Sequence, residues 1–396
     1  MPTLSKRSGQ DERAALFPPE LLAHFDDAMI ASFDLFEEYE SRLALVLCRT
    51  TGLEAACRSA ASVTEAVARA GLRPEAAYLP ASWILALLAS RNWIARETGA
   101  DGEVRYRLAQ ALPLLDPEEL RAAQQAHDPR CLPAYDIAAL AAAHYPDVLS
   151  GRINGEQALF GEAGIIPWVK YFSNDNPLYA ISNTVGAIAA AQAAAAADTE
   201  AILEIGGGLG SGAITLLGHF ESIGRIAQIG SYTLTEISPL FLKRAQRNLA
   251  ARNPRCAMRF ATLDINQPFD GAGIAPGSVS MVYGVNVLHV ARDLGKTLAE
   301  LRSSLRARGL LVMAECVRPF PGTPLHLELV FNLLSSFREA VLVPGWRPNG
   351  GFLTPEQWTA ALEANGFGDI RIFPDIAAIR DDYPSFVVAA VVARRV

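Results

Sequence analysis

Apolar residues fall into two regimes along the chain. Up to about residue 150 they recur at helical spacing: Leu22, Phe25, Met29, Phe33 and Phe36, then Leu43, Leu45 and Leu47, predict two or three helices between Pro19 and Cys57. Residues 1 to about 14 are polar and are expected to fray. Ser62-Val-Thr-Glu65 has the spacing of a capping box and opens a predicted helix over Val63 to Ala70, stopped at Gly71; another runs from Pro74 to Ser90. Trp93 to Glu97 and Val104 to Leu108 flank Gly99-Ala-Asp-Gly102 in a hairpin pattern. Residues 110 to 150 read as helices punctuated by proline, and the aromatic-rich stretch from Phe160 to Asn183 as a helix pair.

From residue 201 the pattern changes. Short apolar runs of strand length (Ala201 to Ile205, Tyr232 to Thr235, Met258 to Leu263, Val279 to Tyr283, Leu310 to Glu315, Ile370 to Phe373, Phe386 to Ala393) alternate with helical stretches. Among the latter, Leu294 to Leu305 follows Asp293 as a candidate N-cap, Leu325 to Val341 reads as one apolar helix, and Pro355 to Asn365 ends at Gly366. The alternation predicts an α/β fold with a mostly parallel sheet.

Candidate chemistry sits where that sheet would present the carboxyl ends of its strands. Ala201 to Ile205 runs into Gly206-Gly-Gly-Leu-Gly210 and then a helix, which is how a nucleotide-type cofactor is cradled. Read from Glu204 with Gly206, Gly208 and Gly210, the loop fits an S-adenosylmethionine motif; read as Gly208-x-Gly210-x-x-Ala213, it fits a loose dinucleotide fingerprint. Acids or amides recur at later strand ends: Glu236, Asp264 with Ile265, and Asn286 just before His289. An acid at the position of Glu236 can accept both ribose hydroxyls.

These motifs in this order, over residues about 150 to 396, resemble class I S-adenosylmethionine-dependent methyltransferases, and most of all the C-methyltransferase domains of polyketide synthases. The carrying residues are Tyr232 to Ala245 (Y-T-L-T-E-I-S-P-L-F-L-K-R-A), Asn286 to Leu294 (N-V-L-H-V-A-R-D-L), Leu311 to Glu315, Leu327 to Leu334 and Leu353 to Trp358. The resemblance implies a Rossmann-like, mostly parallel seven-stranded sheet and S-adenosyl-L-methionine as cofactor, with S-adenosyl-L-homocysteine as product. It implies cofactor contacts at Glu204, Gly206, Gly208, Gly210, Glu236, Asp264, Ile265 and Asn286, and a catalytic dyad of His289 and Glu315. Aromatic faces that cover a sulfonium would stabilise its charge and exclude water, which assigns Trp168 and Tyr171 to the pocket. His326, on the helix expected over the site, joins them.

Three helices followed by a hairpin resemble the winged-helix domain of plant-type O-methyltransferases, which mediates dimerisation. A DNA-binding reading fails on the third helix, P-E-A-A-Y-L-P-A-S-W-I-L-A-L-L-A-S, which has one glutamate and no base. The expected organisation is a helical, winged-helix-like dimerisation domain over residues 1–110, connecting helices and a lid over 111–198, and a cofactor-binding catalytic domain over 199–396. O- or N-methylation of a small phenolic, enolic or amine metabolite is the alternative, and a winged-helix ligand-sensing regulator a weaker one. The O-methyl enzymes carry H-D-W-S-D where this chain has His289-Val-Ala-Arg-Asp293, and an acid where Phe352-Leu353 stand here.

Composition narrows the partners. At 396 residues, 51% hydrophobic and 19% charged, the chain can bury a large core, and its formal charge of -7 does not suit phosphate neutralisation. Cys48, Cys57, Cys131, Cys256 and Cys316 lack metal-ligand or disulfide spacing and are expected to be reduced, mostly buried thiols; no metal is expected. The alanine-rich run Val185 to Ala197 is too short to span a bilayer. A cytoplasmic homodimer that acts as a separate enzyme on a small-molecule or carrier-tethered substrate, away from nucleic acid and membrane, is the expectation.

Overall fold

In the computed structural model, which describes residues 10–161, 164–196, 199–252 and 255–396, the chain divides into two units. The first comprises residues 27–171 with 322–338; the second comprises residues 10–26, 172–321 and 339–396. The expected frayed stretch therefore lies in part outside the described residues.

In the first unit a long helix, Asp27–Thr50, buries Phe33, Phe36, Leu43 and Leu47. The helices Val63–Arg69 and Pro74–Ser90 and the hairpin of β1 (Ala95–Thr98) and β2 (Val104–Arg107) follow, with Ala61 bridged to Tyr106 beside the hairpin. The capping box forms as its spacing requires: Glu65 N–H donates to Ser62 Oγ at 3.3 Å, and Ser62 N–H to Glu65 Oε2 at 3.0 Å. The third helix buries Ala77, Ala81, Trp83, Ile84, Leu85 and Leu88, and the Trp83 indole N–H donates to the Leu325 carbonyl at 2.8 Å. Packing within its own unit therefore accounts for the apolar character of that helix. Helices Glu118–His127 and Leu132–Leu149 complete the frame, and the Tyr145 hydroxyl donates to the Leu329 carbonyl at 2.6 Å.

One expected element is broken. Leu325 to Val341 is not a continuous helix but two single turns, Glu328–Phe331 and Ser335–Arg338. Side chains take backbone groups that a helix would use: Glu328 Oε2 accepts Leu325 N–H at 2.9 Å, and Glu156 accepts Ser335 N–H at 2.7 Å. The Leu333 carbonyl accepts from the Arg338 guanidinium and lies against Gly155, where a Cβ would collide with it.

The second unit is built on a seven-stranded sheet of β3 (Ala201–Ile205), β4 (Ser231–Thr235), β5 (Ala257–Ala261), β6 (Val279–Val285), β7 (Leu305–Cys316), β8 (Phe367–Phe373) and β9 (Val388–Arg395). The order is β5-β4-β3-β6-β7-β9-β8, parallel except for β9, which runs antiparallel to both neighbours. Every residue of β6 and the carboxyl half of β7 are buried, as continuous apolar runs in a parallel sheet require. The topology places β3 between β4 and β6, and their carboxyl ends form the crevice where α/β sheets bind ligands.

The expected fraying gives way from residue 10, where Gln10–Leu16 is helical. Phe17 and Phe25 lie 4.1 Å apart, and both pack edge-on against Tyr383 and Phe386 of the same unit, so burial of two aromatics holds a polar segment in place. Phe17→Ala should lower the stability of the second unit by about 3 to 5 kcal/mol. Calorimetry showing no change would mean this segment adds nothing to the core.

Candidate active site

The strand ends assemble a polar crevice within the second unit. The loop after β3 takes positive φ at Gly206, Gly208 and Gly210 (60°, 52° and 81°), for different reasons. A Cβ on Gly206 would stand 2.4 Å from Val287 Cγ2, so that glycine lets two loops pack. One on Gly208 would meet nothing within 4 Å: this position faces open space. Gly210 begins the helix Ser211–Ser222 and packs near Leu249 and Ala245.

Glu236, at the end of β4, is clamped beside this opening. Its Oε2 accepts Gly208 N–H at 3.0 Å and its Oε1 accepts Ser238 N–H at 2.9 Å, while burial pushes its carboxyl upward. An open glycine face with an adjacent fixed carboxylate fits a nucleoside with two vicinal hydroxyls. Asp264, half-buried after β5, accepts the Asn266 backbone and side-chain N–H at 2.9 and 3.0 Å. The Ile265 carbonyl accepts the Thr297 hydroxyl at 2.9 Å.

Glu204 lies deeper, 2% exposed beneath the glycine loop. Burial pushes its carboxyl up to about 8, offset in part by the Tyr232 hydroxyl, with Glu236 raising it further and Ala213 N–H lowering it.

Across the crevice, Asn286 ends β6 with φ of 52° and accepts Cys316 N–H through Oδ1 at 3.1 Å. His289 sits in the short turn Leu288–Val290, 3% exposed, its Nδ1 2.6 Å from Glu315 Oε2. Glu315, fully buried on β7, also accepts Leu288 N–H at 2.7 Å and Val287 N–H at 3.1 Å through Oε1. With Glu315 Oε2 accepting from Nδ1–H, Nε2 is the ring nitrogen left with a lone pair. The Phe352 ring lies 4.6 Å from the imidazole.

Residues not singled out by the sequence complete the wall. Tyr179 on Pro177–Ala193 has its phenol pushed upward by burial, with Glu204, Glu236 and Glu315 adding to the effect. Phe172 packs edge-on to Tyr179 at 5.3 Å and to Phe241 at 6.0 Å. A relay pins this segment to the start of the helix after the glycine loop: Asn183 Nδ2 donates to Asn174 Oδ1 at 2.7 Å, Asn174 Nδ2 to the Ser211 carbonyl at 3.1 Å, and Ser211 Oγ to the Phe172 carbonyl at 2.6 Å. Trp168, Tyr171 and His326 belong to the first unit. Trp168 is fully buried among Phe160, Tyr171 and Phe331, and donates its N–H to the Leu159 carbonyl at 2.8 Å. His326 packs edge-on to Phe36, and burial, reinforced by Arg91, pushes its imidazole down to about 3.

Residues 203–311 match the model of a methyltransferase domain. The fold is similar to that of the CurJ carbon methyltransferase, at a TM-score of 0.76 and 20% identity over 99% of both chains. The fold is that of class I methyltransferases. It is also similar to that of the trans-methyltransferase CalH, solved in complex with SAH, at a TM-score of 0.57 and 19% identity over 92% of each chain. Polyketide synthase ThaQ of Burkholderia thailandensis is 30% identical over 241 residues, which are 59% of this chain and 11% of that protein. The chain therefore spans about a tenth of the length of that relative.

Among the described residues, no group of His, Cys, Asp and Glu is arranged to hold a metal ion, and no helix is long and apolar enough to cross a membrane. All five cysteines are buried, and no disulfide joins them.

Glu204 gives a pH dependence of stability. Its carboxyl rises from an ordinary 4.5 to about 8, so between these values the folded chain holds a proton that the unfolded chain has lost, and stability falls as pH rises across that window. Glu204→Gln removes the ionisation and should flatten the fall, read as urea midpoints at pH about 5.5, 6.5 and 7.5. An unchanged slope would assign it to other carboxyls.

Proposed function

We propose that this protein is an S-adenosylmethionine-dependent C-methyltransferase of natural-product biosynthesis, acting on an activated, enolisable carbon of a small or carrier-tethered acyl substrate. The observation that carries the reading is the 2.6 Å hydrogen bond between His289 and a Glu315 held by two backbone amides. Phe352 supports carbon over oxygen: the O-methyl enzymes that the chain resembles carry an acid there, whereas here an apolar ring lies on the imidazole and Glu315 serves as its carboxylate.

S-adenosylmethionine, when bound, supplies an electrophilic methyl group. Glu236 would accept the ribose hydroxyls, Gly208 leaves room for the ligand, and Asp264, Ile265 and Asn286 would line its adenine and amino-acid ends. Glu204 would support the loop from beneath. His289 Nε2 takes the proton from the carbon flanked by carbonyls, and Glu315 stabilises the imidazolium that forms and holds its orientation. Tyr179 and Phe172 would exclude water over the reacting carbon. Trp168, Tyr171 and His326 would shape the unit that accompanies it. Homodimerisation through residues 1 to about 110 is part of the same reading, with Tyr78, 53% exposed on the third helix, as an available contact. So is a cytoplasmic setting.

His289→Ala should lower the methylation rate about 10²- to 10⁴-fold with little change in cofactor affinity. Glu315→Gln should lose part of the rate, and the double variant should lose little beyond His289→Ala. A His289→Ala enzyme with near wild-type turnover would remove the base from the mechanism.

The two glycines should separate fold from binding. Gly208→Ala should abolish or sharply weaken calorimetric binding of S-adenosylhomocysteine while the protein remains folded; Gly206→Ala should instead lower the melting temperature, because its Cβ meets Val287. Undiminished binding by Gly208→Ala would place the cofactor elsewhere.

A further inference from the structure

Between Glu236 and Asp264 the chain carries six bases (Lys243, Arg244, Arg247, Arg252, Arg255 and Arg259) and no acid, in a protein whose formal charge is -7. The helix Pro239–Ala250 turns this run into a surface. Phe241, Ala245 and Leu249 are buried on one side. Leu240, Lys243, Arg244 and Arg247, spaced i, i+3, i+4 and i+7, form the opposite stripe and are all exposed. Leu240 is 45% exposed, and Ile237 just before the helix 58%. Arg259 is exposed on β5, the edge strand beside it.

An ordinary helix surface interleaves charges of both signs. Here Lys243, Arg244, Arg247 and Arg259 make no ion pair with a described residue, and Arg255 meets Glu221 at 3.6 Å. Adjacent like charges on one stripe repel, which folding alone would not favour.

The stripe is also carried rigidly beside the crevice. Its helix follows Glu236 by three residues, starts at the Ser238 cap, and is tied to the glycine loop where Asn248 Nδ2 donates to the Leu209 carbonyl at 3.0 Å. A surface there can hold a partner near the crevice without altering it.

We propose that the Leu240, Lys243, Arg244 and Arg247 face docks an acidic carrier protein that presents the acyl substrate as a thioester. This rests on the C-methylation reading above. The occupant follows from charge and size. A helix of about 18 Å offers one short basic row with apolar residues at its end, which suits an acidic helix with an apolar rim. A nucleic acid would need basic residues spread along an extended track, against an otherwise acidic chain.

The probe is an acidic acyl carrier protein bearing an acetoacetyl thioester, compared with acetoacetyl-N-acetylcysteamine, which offers the same acyl group without the protein. Reversal at Lys243→Glu, Arg244→Glu and Arg247→Glu together should raise KM for the carrier-bound substrate about tenfold or more, keep kcat within about twofold, and leave the free thioester unaffected. Carrier binding to the wild type, followed by interferometry, should weaken between about 50 and 300 mM salt and disappear on reversal. The corresponding triple glutamine variant should fall between the two and guards against a misfolded reversal. Equal loss with both substrates, no loss with either, or no carrier binding by the wild type would overturn the proposal. So would tighter binding of duplex DNA or phosphatidylserine vesicles than of the carrier. If the wild type methylated neither substrate yet bound the carrier through this face, the docking surface would stand and the C-methylation reading would fall.

Discussion

The buried carboxylate of Glu315 is the constraint on which the crevice depends. Removing a carboxylate from water is costly unless its oxygens find donors, and here they find the Val287 and Leu288 amides and the His289 ring. Those donors come from the loop after β6, whereas the acceptor is on β7. A single side chain thus ties the ends of two strands together and holds the imidazole by its Nδ1 edge, which fixes the direction of Nε2. Asn286 makes a second tie between the same strands through Cys316 N–H. Positive φ at Asn286 is the local cost of turning the chain back toward the sheet, and asparagine tolerates it better than most residues.

Much of this was legible because a parallel strand buried on both faces leaves its sequence little choice. The runs beginning at Ala201, Tyr232 and Val279 are mostly apolar until the chain leaves the sheet, with Glu204 the one charge inside them, so Glu236 and Asn286 are marked by position as well as by type. The pairing of His289 with Glu315 was not legible from the residues themselves. They are 26 positions apart, and it took the order of motifs in a resembled family to join them. Nor does sequence separate one glycine from the next. Gly206 and Gly208 have similar φ, yet one packs against Val287 and the other opens on the crevice, a distinction set by a loop far along the chain.

The aromatic stretch before the sheet shows a different limit. Trp168, Tyr171, Phe172 and Tyr179 look equivalent in sequence, but the division between the two units falls between Tyr171 and Phe172. Nothing in composition marks that point, so the sequence does not assign each aromatic to its unit. The stretch from Leu325 to Val341 misled in the same way. Its apolar spacing suits a helix, and it is interrupted by hydrogen bonds from Glu156 and within the segment that no periodicity records.

Phe17 and Phe25 rest on Tyr383 and Phe386, so the second unit is closed by segments far apart in sequence. During synthesis the two earlier rings reach this packing only after Tyr383 and Phe386 have been made. The strand β9, which lies between β7 and β8, is likewise made after both of its neighbours. Contacts of such long sequence separation carry a loop-closure cost before they return stability, which slows folding. Packing of the second unit is therefore completed only once β9 has been made, and a chain cut before Tyr383 would lack both that strand and the surface that shelters Phe17 and Phe25.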